Sequence, residues 1–458
     1  MTLPPKPESR PAKVSLWRYA RLFRQDILSA QPARLYRAWM AEFKTPFFRS
    51  YLINQPDLIQ TVLKTRPDDY PKTRPDDYPK SDRIGEGLRP LLGNSVFLTN
   101  GATWKRQRRI IDPAFEGGRL RETFPAIWDA AEAAAARLAP HDGAPLEVEA
   151  QTSHAAADVI FRTLFSIPIE HHMAREVFDE FKTYQRSQPI LNIAAFVPLP
   201  RWLPRLFRRD TKRSAAKIRR LITALTSERM EAIKAGTAPD DLATKIMTTS
   251  DPEDGSTFTT DEMVDQVAIF FLAGHETSAS ALAWAMYLVA THPDWQDRLA
   301  AEAQAIDQCD FAVMGKLRQS RDVFREALRL YPPVPMMVRE ASCPATFRDR
   351  TVARGAQVVI SPWHLHRHER LWDNPDGFDP ARWHSENGKK CQREAYLPFS
   401  AGARVCPGAG FAMVEGPLIL SRILRDYRIE VVGKKPPVPV AHLTVRSKDG
   451  ILLRFVRR

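Results

Sequence analysis

A cysteine in a glycine-rich setting is the first feature able to do chemistry. Phe399-Ser-Ala-Gly402-Ala-Arg404-Val-Cys406-Pro-Gly408-Ala-Gly410 leads into the apolar run Phe411-Ala-Met-Val-Glu-Gly-Pro-Leu. A cysteine at a helix start is drawn toward thiolate by the dipole and by unsatisfied amides, and flanking glycines let a planar group approach the backbone. Cys406 therefore suits a metal ligand. Pro407 lacks an amide, so hydrogen bonds to the sulfur must come from later residues such as Gly408. The competing assignment is a buried structural cysteine on a turn.

Two further groups stand out. Glu326-Ala-Leu-Arg329 places an acid and a base three residues apart on one helix face, a pairing worth little at a surface. Within the apolar stretch Val267 to Ala290, the segment Ala273-Gly274-His275-Glu276-Thr277-Ser278 sets an acid and an alcohol side by side. Thr277 can bond back to the carbonyl of Ala273 and loosen the ladder, while small Ala273 and Gly274 leave room beside it.

The elements that must carry these residues read as mainly α with minor β. Helical periodicity covers 119–138, 153–165, 169–186, 212–234, 260–291, 295–306, 321–331 and 408–426. Strand signals at 350–360, with an Arg354-Gly355 turn, and at 443–455, with Asp449-Gly450, predict two hairpins. Thr259 and Glu262 form a capping-box pattern and His292-Pro293 ends the run, so 260–291 is a helix buried in a large core in preference to a membrane span. A perfect tandem octapeptide, Lys64-Thr-Arg-Pro-Asp-Asp-Tyr-Pro71 repeated to Pro79, reads as a lengthened surface loop without chemistry.

The cysteine loop resembles the haem-binding loop of the cytochrome P450 family, F-x-x-G-x-R-x-C-x-G, at Phe399, Gly402, Arg404, Cys406 and Gly408. The resemblance implies that Cys406 is the axial thiolate of a b-type haem, iron protoporphyrin IX. Glu326 and Arg329 match the family's E-x-x-R element, with Arg382 from Phe378-Asp-Pro-Ala-Arg382-Trp383 as third partner; the triad would hold the haem pocket. Glu276 and Thr277 resemble the acid-alcohol pair of the family's monooxygenases, which delivers protons to the oxygen site. Trp104 and Arg108, from a W-x-x-x-R helix start, with Arg339 and Arg404, match propionate-facing positions, and Ala273 and Gly274 would flank the haem. These motifs run from Trp104 to Gly410 and imply the family's fold over 1–458 as one domain, residues 1–30 being partly flexible.

The implied activity is insertion of one oxygen atom from O2 into a hydrophobic molecule of fatty acid, terpenoid or aromatic type. Two electrons would come from NAD(P)H through a separate reductase and an acidic ferredoxin or flavodoxin. The alternatives are a peroxide-driven haem-thiolate enzyme and a haem or ligand-binding protein without turnover. Pocket walls are expected at Leu88, Leu98, Val334, Met336 and Met337, with Phe196 in an apolar, Pro-punctuated connector, 190–204, serving as access lid and able to touch a membrane surface.

The remaining features bound the answer. With 458 residues, 44% hydrophobic and 26% charged, the chain can bury a real core. The 67 basic and 54 acidic residues leave +13, favouring an acidic partner or an anionic surface. Lys105, Arg106 and Arg109, with Lys389, Lys390 and Arg393, are candidates for the redox-partner face. The run Arg208 to Arg220 lacks interleaved aromatics and argues against nucleic acid. His364, His366 and His368 alternate as zinc ligands do, but no second ligand set accompanies them. Cys309, Cys343, Cys391 and Cys406 are too few and scattered for a disulfide framework, which points to a reducing cytoplasm, and Met1 to Gln25 carries neither a signal peptide nor a membrane anchor.

Overall fold

The computed structural model describes residues 3–44, 48–64, 77–85, 87–116, 118–187, 209–306, 308–441 and 443–458. Its longer helices are α1 (Leu16–Gln25), α2 (Pro56–Leu63), α3 (Gly101–Ile111), α4 (Phe124–Ala136), α5 (Val148–Phe165), α6 (His172–Ser187), α7 (Arg209–Lys234), α8 (Thr260–Ala290), α9 (Pro293–Gln304), α10 (Arg318–Leu330) and α11 (Ala409–Asp426). The strands are β1 (Met40–Lys44), β2 (Arg49–Ile53), β3 (Pro145–Glu147), β4 (Met337–Glu340), β5 (Ala345–Phe347), β6 (Arg350–Val352), β7 (Gln357–Ile360), β8 (Tyr427–Val431), β9 (Pro439–Ala441), β10 (Val445–Ser447) and β11 (Leu452–Arg457).

Helix α8 is the spine. Thr259 caps it, accepting from the Glu262 amide at 3.2 Å while Glu262 returns a bond to the Thr259 amide at 2.9 Å. It lies along α5 and also packs on α7, α10 and α11. This explains why its residues from Met263 to Val289 are apolar on almost every side: a helix surrounded by helices has no solvent face. Among the described residues no helix is long and apolar enough to cross a membrane.

Both expected hairpins are corrected. The Arg354-Gly355 turn forms, with Gly355 at φ +82°, but β6 pairs with β5, while β7 pairs in parallel with β2 and antiparallel with β4. Likewise β10 pairs with β9, whereas β11 lies between β3 and β8. Alternation reveals an extended run but not its partner, and here each turn hands the chain from one sheet to another. The four-stranded sheet, in the order β1-β2-β7-β4, drew no strand signal from its first two members. The connector with Phe196 lies outside the described residues.

Candidate haem-thiolate site

The cysteine loop is shaped by backbone contacts. The Cys406 amide donates to the Phe399 carbonyl at 2.9 Å, and the Val405 amide to Gly402 at 3.0 Å. Gly402 sits at φ +70°, and a Cβ there would stand 1.9 Å from the carbonyl oxygen of Leu63 at the end of α2, so only glycine fits. At Gly408 a Cβ would meet the Cys406 sulfur at an ordinary 3.9 Å. Cys406 lies among buried surroundings yet is itself an exposed residue. Burial raises the thiol's pKa above its usual value, against the Gly408 amide and the Arg108 charge, which lower it. Burial thus outweighs the expected bias toward thiolate, and a metal bound at the sulfur would favour deprotonation.

Around the loop four cations converge. Arg404 stacks on Trp104, its guanidinium carbon 4.1 Å from the ring centroid, and Arg108 donates to the Val405 carbonyl at 2.8 Å while pairing with Asp112 at 2.8 Å. Arg339 is buried, and burial together with Arg404 pushes its pKa down to about 10. The fourth cation is Lys80, which the sequence gave no reason to single out because it simply follows the repeat. Its ammonium donates to the carbonyls of Val96 at 2.5 Å and Phe97 at 2.9 Å. Burial, then Arg404, Arg339 and Arg108, drives its pKa down to about 6. Cations packed closely enough to lower Lys80 and Arg339 in this way fit a ligand carrying two carboxylates.

Across from the loop, α8 opens on one side. Ala273 is exposed and Phe270, Gly274 and Thr277 are half-buried, whereas their neighbours from Met263 to Val289 are buried. The four share one helix face by their i, i+3, i+4, i+7 spacing. Phe115 stands between Phe270 and Phe411 at the start of α11, with ring centroids 5.5 and 5.6 Å away, so this face and the cysteine loop border the same space. The Thr277 hydroxyl donates to the Ala273 carbonyl at 2.5 Å, as its spacing predicts. Gly274 has a packing reason as well. A Cβ there would meet Ile160 of α5 at 2.8 Å, so the glycine permits close packing of two helices.

Glu276 is buried, and one carboxylate oxygen accepts from Thr444 at 2.8 Å and from Arg446 at 3.2 Å, both near the β9–β10 turn. Burial pushes His275 down to about 3, so it stays neutral while bonding the Ser153 hydroxyl at 2.6 Å. Glu415 of α11, which sequence reading passed over, is buried, and its pKa rises to about 7 although the Ser278 hydroxyl bonds it.

Glu326, Arg329 and Arg382, which the family resemblance grouped, lie together. Glu326 accepts from Arg329 at 2.8 and 2.9 Å, from Arg382 Nε at 2.9 Å and from the Asp379 amide at 3.0 Å. Arg329 also donates to the carbonyls of His366 at 2.8 Å, Pro375 at 2.6 Å and Gly377 at 2.8 Å. His366 then accepts from the Leu397 amide at 2.8 Å, two residues before Phe399. His364 bonds Ser361 at 2.8 Å and His368 stacks on Trp39 at 4.5 Å. Among the described residues no group of metal-ligating side chains gathers, and all four cysteines are free.

Of the expected pocket residues, Val334 is exposed and Met336 and Met337 are half-buried, while Leu88 and Leu98 belong to the buried core. Several cations expected on a docking face are instead neutralised internally. Arg106 pairs with Glu262 at 2.8 Å, and Arg109 pairs with Asp251 at 2.6 Å and Glu253 at 2.9 Å. In the basic run, Arg219 pairs with Asp265 at 2.7 Å and Lys217 with Glu176 and Glu180 at 3.4 Å.

An exposed cysteine, an open helix face bordering the same space and a ring of cations together make a candidate haem site. The family model described as Cytochrome P450 matches residues 35–454. The chain is 32% identical over 395 residues to cyclooctat-9-en-7-ol 5-monooxygenase of Streptomyces melanosporofaciens, covering 84% of this chain and 81% of that protein. It is 29% identical over 439 residues to cytochrome P450 4A14 of Rattus norvegicus, covering 91% and 82%. Its fold matches the crystal structure of the cytochrome P450DA heme domain with a TM-score of 0.79 at 22% identity, covering 100% of this chain and 98% of that one. The chain belongs to the cytochrome P450 family, whose members are haem-dependent monooxygenases.

Proposed function

We propose that the protein, acting as one catalytic unit over its whole length, inserts one oxygen atom from O2 into an apolar small molecule of fatty acid, terpenoid or aromatic type. The observation that carries this is the open face of α8 bordering the space of the Cys406 sulfur. Cys406 would ligate the iron, and Trp104, Arg108, Arg339, Arg404 and Lys80 would hold the propionates. When bound, the haem supplies dioxygen activation through its thiolate-ligated iron.

The chain's own residues do the rest. Ala273 and Gly274 leave the α8 face low, and Thr277, bonded to the Ala273 carbonyl, holds a hydroxyl toward the oxygen site. Glu276 serves as the proton source behind it, held by Thr444 and Arg446 until it turns inward. The buried triad holds the segment leading into the cysteine loop by way of His366 and Leu397. Val334, Met336 and Met337 contribute apolar walls, and Met side chains adapt to varied shapes. Electrons arrive from NAD(P)H through a separate reductase and an acidic ferredoxin or flavodoxin, docking where Lys105, Lys390 and Arg393 are exposed. The free cysteines suit a reducing cytoplasm.

The test is turnover of the haem-loaded protein with a ferredoxin, its reductase and NADPH, over a panel of fatty acids, terpenoids and small aromatics first screened for a shift from low to high spin. Product whose added oxygen derives from 18O2 supports the proposal. Product formed with peroxide but not with O2 and reduced ferredoxin refutes it.

A further inference from the structure

The chain's excess charge is concentrated at one end. Residues 1–41 contain eight cations, Lys6, Arg10, Lys13, Arg18, Arg21, Arg24, Arg34 and Arg37, against two acids, Glu8 and Asp26. Eight minus two is +6, close to half of the chain's +13 in under a tenth of its length. Asp26 is already committed: it accepts from the amides of Leu28 at 3.0 Å and Ala441 at 2.8 Å. Lys13, Arg18, Arg21, Arg24, Arg34 and Arg37 are exposed and have no ion pair among the described residues.

Helix α1 displays part of this charge beside an aromatic ring. Trp17 is 87% exposed, more than any other large apolar side chain among the described residues. Arg21 and Arg24 follow it at i+4 and i+7, on the same face, with Arg18 at the edge. The opposite side, Tyr19, Leu22 and Phe23, is half-buried; Tyr19 contacts Phe23 at 5.6 Å and Arg10 lies 5.4 Å from the Tyr19 ring. The helix end is tied to β9 through Asp26 and through the Ile27 amide, which donates to Ala441 at 3.1 Å. The helix is therefore mounted rigidly with its indole and guanidiniums facing out.

We propose that this face docks the protein onto an anionic lipid surface, with Trp17 at headgroup level and the arginines on the phosphates. Indole prefers the boundary between apolar and wet regions, and a helix with aromatic and cationic residues on one side binds in the interface plane. Cations near an anionic leaflet add attraction that salt screens. An exposed tryptophan surrounded by arginines fits that boundary better than it fits water. The mode is peripheral and needs no spanning helix. Beside Ala441, at the same end of the β9–β10 unit, Thr444 touches Glu276, so docking would bring the substrate side toward the phase in which apolar molecules dissolve.

The experiment uses the full haem-loaded chain with sedimenting vesicles of phosphatidylcholine, with and without phosphatidylglycerol. We expect co-sedimentation with the anionic vesicles that fades at high salt. The Arg21→Gln/Arg24→Gln pair should weaken it roughly thirtyfold, and Trp17→Ala about tenfold. Brominated lipid should quench tryptophan fluorescence in the wild type but not in Trp17→Phe, which separates insertion of this side chain from general adhesion of a cationic protein. Thermal melts and the haem spectrum should not change, because these residues lie on the surface. No binding to anionic vesicles, or binding and quenching indifferent to these substitutions, would overturn the proposal. So would capture by an acidic ferredoxin that depends on Trp17 while vesicles are ignored.

Discussion

Replacing Glu326 with Gln should destabilise the protein by about 3 to 5 kcal/mol, the cost of leaving buried charges without their counter-ion. Glu326 and Arg329 are fully buried and Arg382 nearly so. The carboxylate accepts four hydrogen bonds, from Arg329 twice, from Arg382 and from the Asp379 amide. An amide keeps the shape but turns one acceptor into a donor facing a donor and leaves two guanidiniums with a neutral partner. Burial raises this carboxyl's pKa, but the charges and bonds of Arg329 and Arg382 outweigh it, so the folded value lies below the ordinary 4.5. A lowered carboxylate pKa stabilises the fold above the unfolded value and loses that contribution as pH falls through the folded one. Urea unfolding of wild type and variant should therefore differ most above pH 4.5 and converge in more acidic solution. A loss under about 1 kcal/mol at neutral pH, or a difference that grows with acid, would refute the assignment of Glu326 as an ionised structural acid.

Other perturbations address the site. Thr277→Ala should release more peroxide per NADPH and form less product, measured as coupling; unchanged coupling removes Thr277 from oxygen handling. Gly274→Ala should cost about 1 to 3 kcal/mol by overpacking, and Ile160→Val in the same chain should recover much of it, because the clashing atom is the Ile160 Cδ1. No recovery in thermal melts would mean that the glycine serves something other than helix packing. Lys80→Ala should weaken haem retention in a competition with apomyoglobin, and wild-type retention would place the propionates elsewhere. Deleting one copy of the octapeptide leaves Tyr78-Pro79-Lys80 unchanged in sequence, so haem binding should persist, with stability higher by about 1 kcal/mol or less from the shorter chain between α2 and Lys80. Loss of haem on deletion would contradict this.

Most helices from residue 119 onward were legible, several because burial on one side leaves a periodic trace and α8 because the Thr259/Glu262 cap opens an apolar run to Ala290, whereas α1 and α2 were not expected. The cysteine loop and the Glu326-Arg329 pair were legible as motifs, and Arg382 followed from the family resemblance. Strand partners were not legible, since β7 bonds to β2, far away in the chain, through contacts that leave no local signature. Lys80 escaped for a similar reason: its importance comes from Arg339, Arg404 and Arg108, which only the fold brings near. Gly274 was noticed for the room it leaves on one side, while its close approach to Ile160 of α5 is a second reason that only the packing of two helices shows.

The claim on which all else depends is that the sulfur of Cys406 binds haem iron. The direct measurement is the ferrous carbon-monoxide difference spectrum of the haem-loaded protein beside that of Cys406→Ser. A red-shifted Soret band typical of thiolate ligation in the wild type, absent from the variant, is the predicted result. An imidazole-type band in the wild type, or a thiolate band that survives the substitution, would contradict it.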